Sequence, residues 1–548
     1  MMRLYWIACC VLFRAAMPDL VAQEGHQHGP GAGPEEHVGS VHFRTSCTAT
    51  AQRRFDVAVA YLHSFWYEKA GPAFQEAAAA DSSCAMAYWG QAMAILHPLW
   101  TPPSPADLAA GLQAAERGVA LAKTPRERDY LDAIRTYYKD YAAVDTKARL
   151  VAYEHAMEGL ARRYPTDREA QIFYALALIA VGQANPTDTT FAYQKRADSI
   201  LEPLFKLEPR HPGLAHYLIH TNDAPQLASL GLYAARRYAA IAPDVPHAQH
   251  MPSHIFTRLG LWEEDIASNT RSMAGARQFE AAQHLNGLWD QRGHAMDYLV
   301  YAYLQEGRDA DARSVVAEAA GVTVGYPPGS LTNEYALAAI PARYALERGR
   351  WDEAIALPVR PAPEWRATEA ITHFARAVGA AHSGDTTLLR TEIKSLDDIE
   401  RALVAAGGAQ GYWANQVGIQ VRAVAAWDAL LANHDTSGAL GKAQAAADEE
   451  DRTQKHPVTP GAVVPARELY GDLLLAVGQP GAAAKAYATS LQNAPARARS
   501  LFGLARAAEL AGDLATARSR YAEFLKVMEK GDRERPEVRV ARAFVASR

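Results

Sequence analysis

Two pairs of histidines are the residues of this chain best suited to chemistry. His216 and His220 form one pair, and His250 and His254 form the other, each with the spacing of one helical turn. Both rings of a pair therefore project from the same face of a helix. The two pairs lie 34 residues apart, which is a typical length for a repeat built from two helices. The spacing predicts that neighbouring helices present four imidazoles from equivalent faces.

Other polar side chains fall at equivalent positions of the same helices. His247 lies one turn before His250. In the next repeat His294 and Asp297 occupy matching positions, when the repeats are aligned on the glycines between their helices. The candidates for additional ligands, or for groups that hold the ligands in place, are His247, His294, Asp297, Asp223 and Tyr301.

Neutral imidazole is the commonest metal ligand in proteins, and it suits both zinc and copper. Side chains from adjacent helices can reach one ion, because packed helix axes lie about 8–10 Å apart. The paired histidines therefore predict a divalent transition-metal site that holds Zn or Cu. An open coordination position would make a bound water acidic and allow hydrolysis. The pattern leaves open whether the protein is an enzyme, and it names no catalytic residue.

Two other interpretations remain open. The imidazoles could bind an organic molecule, a peptide or a partner protein along a concave groove, or they could form a structural polar network. Convergence of at least three rings on one point would favour a metal, whereas rings spread along a groove would favour a peptide. We interpret four isolated histidines as hydrogen-bonded packing residues: His63, His97, His373 and His382. We interpret His211 as a helix-entry residue.

The composition is that of a soluble globular protein. The 548 residues are 49% hydrophobic and 21% charged, with a net charge of −5. This mildly acidic balance gives no basic surface for nucleic acid, which we do not expect as a partner. The sequence contains no glycine-rich phosphate loop, no GxSxG motif and no HExxH motif, so it lacks the signatures of common nucleotide-binding, hydrolase and zinc-protease sites.

The N-terminus has the features of an export signal. Arg3 is followed by an apolar run over residues 4–13, and a small-residue cleavage site ends at Ala22. We therefore expect an exported protein, periplasmic or secreted, with no membrane-spanning segment after the signal. Two cysteines, Cys47 and Cys84, remain in the mature chain, and in an exported protein such a pair favours one disulfide over two buried thiols.

Helical periodicity dominates from about residue 50 onward, with abundant Ala and apolar residues at three- and four-residue spacing. We expect more than about 65% helix. The clearest repeats are C-terminal, where Gly478 and Tyr487 recur 34 residues later as Gly512 and Tyr521. The sequence divides into a signal peptide (1–22), a flexible leader rich in His, Gly and Pro (23–49), a main helical array with a His-lined groove (50–455) and a C-terminal pair of repeats (456–548).

Several long motifs carry a family resemblance. They are LHSFWYEKA (62–70), CAMAYWGQAM (84–93), HPGLAHYLIH (211–220), HMPSHIFTRLGLWEE (250–264) and HAMDYLVYAYLQEG (294–307). With these motifs the mature chain resembles a group of bacterial exported tetratricopeptide-repeat proteins. The resemblance implies an all-α solenoid, a right-handed superhelix of antiparallel helix pairs whose first helices line a concave groove. It implies no particular activity.

Overall fold

The computed structural model describes residues 36–99, 102–362, 364–532 and 534–547. About 73% of this structure is helical. Strand structure in these ranges is confined to β1 (Leu288–Trp289) and β2 (Gly325–Tyr326), which pair in parallel. The prediction of an all-α protein is therefore confirmed. The predicted signal peptide lies outside the described residues, and none of the described helices has the length and hydropathy that a membrane crossing requires.

The helices follow one another with short connections. The N-terminal helices are α1 (Ala49–His63), α2 (Tyr67–Ala80), α3 (Ala85–Leu96), α4 (Pro105–Leu121), α5 (Pro125–Tyr138), α6 (Thr146–Arg163), α7 (Arg168–Gln183) and α8 (Ala192–Leu207). The central helices are α9 (Pro212–Thr221), α10 (Ala228–Ile241), α11 (Pro246–His250), α12 (Pro252–Leu259), α13 (Trp262–Ala282) and α14 (Asp290–Gln305).

The C-terminal half continues in the same way. Its first helices are α15 (Asp309–Ala320), α16 (Leu331–Leu346), α17 (Trp351–Ile355), α18 (Arg366–Ser383), α19 (Thr386–Ala406), α20 (Gln410–Leu431) and α21 (Thr436–Asp451). Its last helices are α22 (Ala466–Ala476), α23 (Pro480–Asn493), α24 (Ala498–Leu510), α25 (Leu514–Val527) and α26 (Pro536–Ala546).

Local sequence sets the ends of these helices. The side chain of Thr48 accepts a hydrogen bond from the N–H of Ala51 and so caps α1, and Ser104 forms a reciprocal capping box with Asp107 at the start of α4. Gly260 ends α12 with a φ of 68°, a left-handed conformation that favours glycine. Each helix packs on its sequence neighbours, and the result is a tetratricopeptide-like α-solenoid.

The region from 23 to 49 is not a flexible leader throughout, as the sequence had suggested. From His37 onward the chain belongs to the same compact unit as the helices. Val38, Val41 and Phe43 are buried, and the Phe43 ring lies 5.3 Å from Trp89 and 5.0 Å from Tyr130. Three apolar side chains among polar and glycine residues are enough to anchor this stretch.

The C-terminal repeats, for which the sequence predicts a boundary at residue 456, pack against the central helices. Their backbone contacts the central helices: the Trp262 indole donates to the carbonyl of Ala496 at 3.1 Å, and the N–H of Ala498 donates to the Gln305 side chain at 3.0 Å. The N–H of Asp532 donates to the carbonyl of Gly307 at 2.8 Å. Residues 37–548 therefore form one compact unit.

Residues 452–465, which we call the crossing segment, connect α21 to α22 and run past the central helices. Gln454 hydrogen-bonds through its N–H and its side chain to the carbonyls of Pro186 and Asp188, both at 2.7 Å. Further along, the Arg343 guanidinium donates to the carbonyl of Gly461 at 2.8 Å. The segment is therefore fixed at both ends to helical connections or helices far away in sequence.

Cys47 and Cys84, 37 positions apart in sequence, form a disulfide that joins the chain before α1 to the start of α3. We expect the double substitution Cys47→Ser/Cys84→Ser to lower the free energy of unfolding by about 3 kcal/mol, because a cross-link over such a loop restricts the unfolded chain. Urea denaturation of the variant and the wild type checks this, with reduced wild-type protein as the second comparison. Equal urea midpoints for all three would contradict it.

Candidate metal centre

Six buried histidines come together where four central helices meet. His216 and His220 are on α9, His247 and His250 on α11, His254 on α12 and His294 on α14. All six are buried, and the most accessible of them, His220, is 8% exposed. Pro252 separates α11 from α12, but Met251 keeps helical backbone angles, so the side chains on either side of it still share a face. We call this group the six-histidine cluster.

The first half of the cluster is the triad of His216, His220 and His247. The Nε2 atom of His216 lies 3.1 Å from Nε2 of His220 and 3.2 Å from Nε2 of His247. One ring nitrogen from each of the three lies within 4.8 Å of the others. Two nitrogens bound to one zinc at about 2.0–2.1 Å, with tetrahedral angles, are about 3.3–3.4 Å apart. The two distances from His216 are therefore close to those between ligands on one ion.

The second half is the triad of His250, His254 and His294. The Nε2 atoms of His250 and His254 lie 3.1 Å apart, and the His294 ring centroid is 4.2 Å from that of His250. The three ring nitrogens again lie within 4.8 Å of one another. The two triads are neighbours, because the ring centroids of His220 and His254 are 5.9 Å apart.

Hydrogen bonds to the other ring nitrogen fix the tautomers of the first triad. His216 Nδ1 lies 2.6 Å from the backbone carbonyl oxygen of His63, and His247 Nδ1 lies 2.8 Å from Gln291 Oε1. Both oxygens only accept, so both Nδ1 atoms carry the hydrogen and donate. The Nε2 atoms of His216 and His247 are consequently lone-pair acceptors in the neutral rings.

The second triad is held in the same way. His250 Nδ1 donates to Asn269 Oδ1 at 2.6 Å, and His254 Nδ1 donates to Asp223 Oδ2 at 2.9 Å. The amide of Asn269 is oriented by its own donation to Asp265, at 2.7 Å from Nδ2 to the carboxylate. Histidines that bind metals are commonly oriented by an acceptor at the second ring nitrogen. The Nε2 atoms of His250 and His254 are thus acceptors as well.

Acceptor nitrogens therefore face each other inside both triads. His216 and His247 do so at 3.2 Å, and His250 and His254 at 3.1 Å. Two lone pairs at that distance repel unless a cation lies between them. A proton is disfavoured, because burial and then the neighbouring rings hold the pKa of His216 and His250 well below 6.5. The arrangement fits a metal ion in each triad.

A third buried group, His63, Glu169 and His211, shows what a satisfied histidine network looks like in the same protein. Its ring nitrogens donate to Glu169 at 3.0 Å from both histidines, and the second nitrogen of His63 accepts from the hydroxyl of Tyr217 at 2.9 Å. His211 caps α9 by accepting from the N–H of Leu214. With both rings neutral, each ring nitrogen that carries a hydrogen faces an acceptor, and each that carries a lone pair faces a donor. We therefore assign this group to packing, which agrees with the interpretation of His63 as a packing residue and of His211 as a helix-entry residue.

Asp223 supports the cluster from outside. Its carboxylate accepts from His254, from Arg258 Nε at 2.9 Å and from Lys455 Nζ at 2.6 Å. Burial alone would raise the pKa of Asp223, but Lys455 and Arg258 outweigh it and hold that pKa well below 3.8, so the group is a carboxylate. Burial lowers the pKa of Lys455 to about 8. The candidate role of Asp223 as a group that holds a ligand in place fits this geometry.

Two sequence candidates do not reach the cluster. Asp297 is paired with Arg343, at 2.8 Å from Oδ1 to Nε, and both side chains are buried. Tyr301 packs edge-on against Trp262, and its hydroxyl accepts from Arg497 at 3.2 Å. Helical spacing places both residues on the face of α14 that carries His294. Each of them contacts an arginine from another helix, and this contact cannot be predicted from the spacing.

The cluster does not line an open groove, which corrects the expectation of a His-lined concave surface. Phe65, in the turn between α1 and α2, packs its ring 4.4 Å from that of His216, and its backbone adopts a left-handed φ of 52° to do so. On the other side the hydroxyl of Tyr298 donates to the carbonyl of Thr459 in the crossing segment at 3.0 Å. A cavity of about 150 Å³ has Asp223 and Lys455 in its lining.

Several groups of the site could not be singled out from the sequence. Asn269, Gln291 and the carbonyl of His63 hold the ligands, and Lys455 and Tyr298 lie beside Asp223 and His254. Amides and backbone carbonyls carry no distinctive spacing, so the sequence offered no signal for them. The motif LHSFWYEKA did mark the α1–α2 turn, although not its contact with the cluster.

Asn269 offers a test of ligand orientation. Asn269→Leu keeps the size of the side chain but removes the acceptor of His250 Nδ1, and we expect it to weaken metal binding at the second triad by about 10–100-fold. Isothermal titration with Zn²⁺ measures the change. Asn433→Leu, at an exposed position after α20, is the control, and equal affinities for the two variants would contradict the role of Asn269.

Acid should destabilise the metal-free protein. Burial lowers the pKa of His247 from 6.5 to about 3, so the unfolded chain takes up the proton first as the pH falls. The neutral His247 ring therefore makes its full contribution to stability above pH 6.5. This contribution is lost toward pH 3, at about 1 kcal/mol per pH unit. Urea denaturation in EDTA at pH 7.5 and 5.5 measures this loss of stability. The loss should be smaller in His247→Gln by the contribution of His247. A variant with the same pH dependence as the wild type would contradict the prediction.

Similarity to known proteins is distant. No family model matches the chain, and no curated protein matches it. Among solved structures, the human IFIT1 dimer with m7Gppp-AAAA is similar with a TM-score of 0.37 and 10% identity, over 88% of this chain and 91% of that chain. Yeast Tom70 is similar with a TM-score of 0.33 and 10% identity, over 90% of this chain and 95% of that chain.

Proposed function

We propose that this chain is an exported tetratricopeptide-like scaffold that binds transition-metal ions, zinc or copper, in the six-histidine cluster. The observation that carries the proposal is the pair of acceptor nitrogens facing each other in each triad, at 3.2 Å between His216 and His247 and at 3.1 Å between His250 and His254. A metal cation between the two nitrogens would stabilise such a contact. A proton is disfavoured there, because the pKa values of His216 and His250 are well below 6.5.

The geometry favours metal over the alternative of a peptide- or protein-binding module. A peptide groove would spread its imidazoles along an accessible surface, whereas here six rings converge and are buried. Phe65 and the crossing segment cover them. A partner protein could still bind elsewhere on the solenoid, but these histidines would not contact it.

Export is part of the proposal and has separate support. The pairing of Cys47 with Cys84 suits an oxidising compartment such as the bacterial periplasm or the exterior of the cell. The apolar run after Arg3 would serve as the signal that directs the chain there. N-terminal sequencing of protein recovered from the periplasm would test this, since a mature chain that still begins at Met1 contradicts a cleaved signal.

Metal analysis of protein purified without an affinity tag tests the main proposal. We expect zinc or copper in the wild type and a lower metal content in His250→Ala/His254→Ala, which removes two facing nitrogens. The matched control is His37→Ala/His155→Ala, which removes two exposed imidazoles, 80% and 70% accessible, far from the cluster. Equal metal content in all three proteins would reject the proposal and favour a metal-free interaction module.

A further inference from the structure

The ligands of the six-histidine cluster are all neutral. Each triad supplies three imidazoles, and no carboxylate of the described residues takes part in either triad. The oxygens of Asp223 are occupied by His254, Arg258 and Lys455, and those of Asp297 are directed to Arg343. A metal bound here would therefore receive no negative charge from its protein ligands.

The surroundings do not supply that charge either. The charged groups that act on the cluster are one carboxylate, Asp223, and two cations, Arg258 and Lys455. Asp265 lies behind Asn269 and not against the rings, and burial raises its pKa well above 3.8. The cluster thus carries a small positive charge before any ion enters it.

Ion charge then decides which metal is favoured. Two divalent ions would place four positive charges in a buried site with one nearby carboxylate, Asp223, which Arg258 and Lys455 already outweigh, and the cost of burying uncompensated charge is large. Two monovalent ions would bring two positive charges, half as many. Among the metals that bind imidazole, copper is the one with a stable monovalent state, and a monovalent copper ion is satisfied by three neutral donors.

We propose that the six-histidine cluster holds two cuprous ions, one in each histidine triad. The inference rests on the proposed function and specifies its metal, its oxidation state and its stoichiometry. The contact between the rings of His220 and His254 makes the two ions near neighbours.

Anaerobic titration tests the proposal. Metal-free protein is titrated with Cu⁺ against the chelator bicinchoninate, and separately with Zn²⁺ against a fluorescent zinc chelator. We expect two Cu⁺ per chain, silent in electron paramagnetic resonance and bound at least about tenfold more tightly than Zn²⁺. His216→Ala/His247→Ala and His250→Ala/His254→Ala should each retain one Cu⁺, and His37→Ala/His155→Ala should retain two.

A charge variant tests the reason for the preference. Gln291→Glu places a carboxylate behind His247, whose Nδ1 now donates to Gln291 at 2.8 Å. We expect the ratio of Cu⁺ to Zn²⁺ affinity at the first triad to fall by about tenfold, because one negative charge favours the divalent ion. Gln113→Glu, at an exposed position of α4, is the control and should leave the ratio unchanged.

The outcomes separate the two levels of the proposal. Binding of Zn²⁺ or Cu²⁺ in preference to Cu⁺, or binding of a single ion, would overturn the cuprous pair while the metal-binding function stands. An unchanged affinity ratio in Gln291→Glu would overturn the charge argument. Failure to bind Cu⁺, Cu²⁺ or Zn²⁺ would overturn the proposed function together with this inference.

Discussion

Filling both triads with metal is expected to raise the free energy of unfolding by about 5 kcal/mol. An ion held at a hundred times its dissociation constant stabilises the folded state by about 2.7 kcal/mol, and the cluster offers two triads. The stabilisation arises because the unfolded chain no longer holds three imidazoles around one point. Urea denaturation with and without saturating Zn²⁺, at constant pH, measures the difference.

The variant His216→Ala/His250→Ala removes one ligand from each triad and should lose this stabilisation. Its stability without metal should approach that of the wild type or exceed it, since facing acceptor nitrogens are removed. His37→Ala/His155→Ala should gain as much from metal as the wild type does. A wild-type urea midpoint that does not move with metal would contradict both the ligand assignment and its energetic importance.

Glu468→Ala is expected to destabilise the protein by about 3 kcal/mol, because it removes one member of a buried ion-pair network. Glu468 is fully buried, and its carboxylate accepts from Arg497 at 2.8 Å and from Arg499 at 2.7 Å. Glu347 still pairs with Arg497, at 2.7 Å, and Asp472 with Arg499, at 2.9 Å, but both guanidinium groups lose a buried carboxylate contact. Denaturant unfolding gives the change directly.

The matched control is Glu523→Ala. Glu523 pairs with Arg520 at 2.6 Å on the surface, with both side chains about two-fifths exposed, and such pairs contribute about 0–1 kcal/mol. If the two variants were equally stable, the buried network would have no special importance. Arg497 also donates to Tyr301 on α14, so we expect the Glu468 variant to loosen the contact between the C-terminal repeats and the central helices.

The fold and half of the site follow from periodicity. Three- and four-residue spacing predicts the helices, and the 34-residue repeat predicts that His216, His220, His250 and His254 meet. His247 and His294 were assigned through the same register, and both lie in the triads. Register carries this information because it fixes the face of a helix that each side chain occupies.

Periodicity could not identify the contacts that elements far apart in sequence make. Asp297 lies on the same helix as His294, but Arg343 binds it, and nothing in the local sequence marks that pair. The acceptor for His216 is a backbone carbonyl, that of His63, which any residue type could supply. The crossing segment resembled a linker in composition, and only its contacts with Pro186 and Arg343 reveal that it is part of the interior.

The position of the crossing segment in the chain imposes an order on assembly. All six ligands have been synthesised once the chain reaches His294, whereas residues 452–465, which cover them, emerge much later. A chain that folds from its N-terminus can therefore meet metal while the cluster is still open. Afterwards an ion can leave by that side only if hydrogen bonds such as those of Gln454 to Pro186 and Asp188 break. Under the proposed function, metal would therefore enter most easily during folding, and its release through that side would require local unfolding.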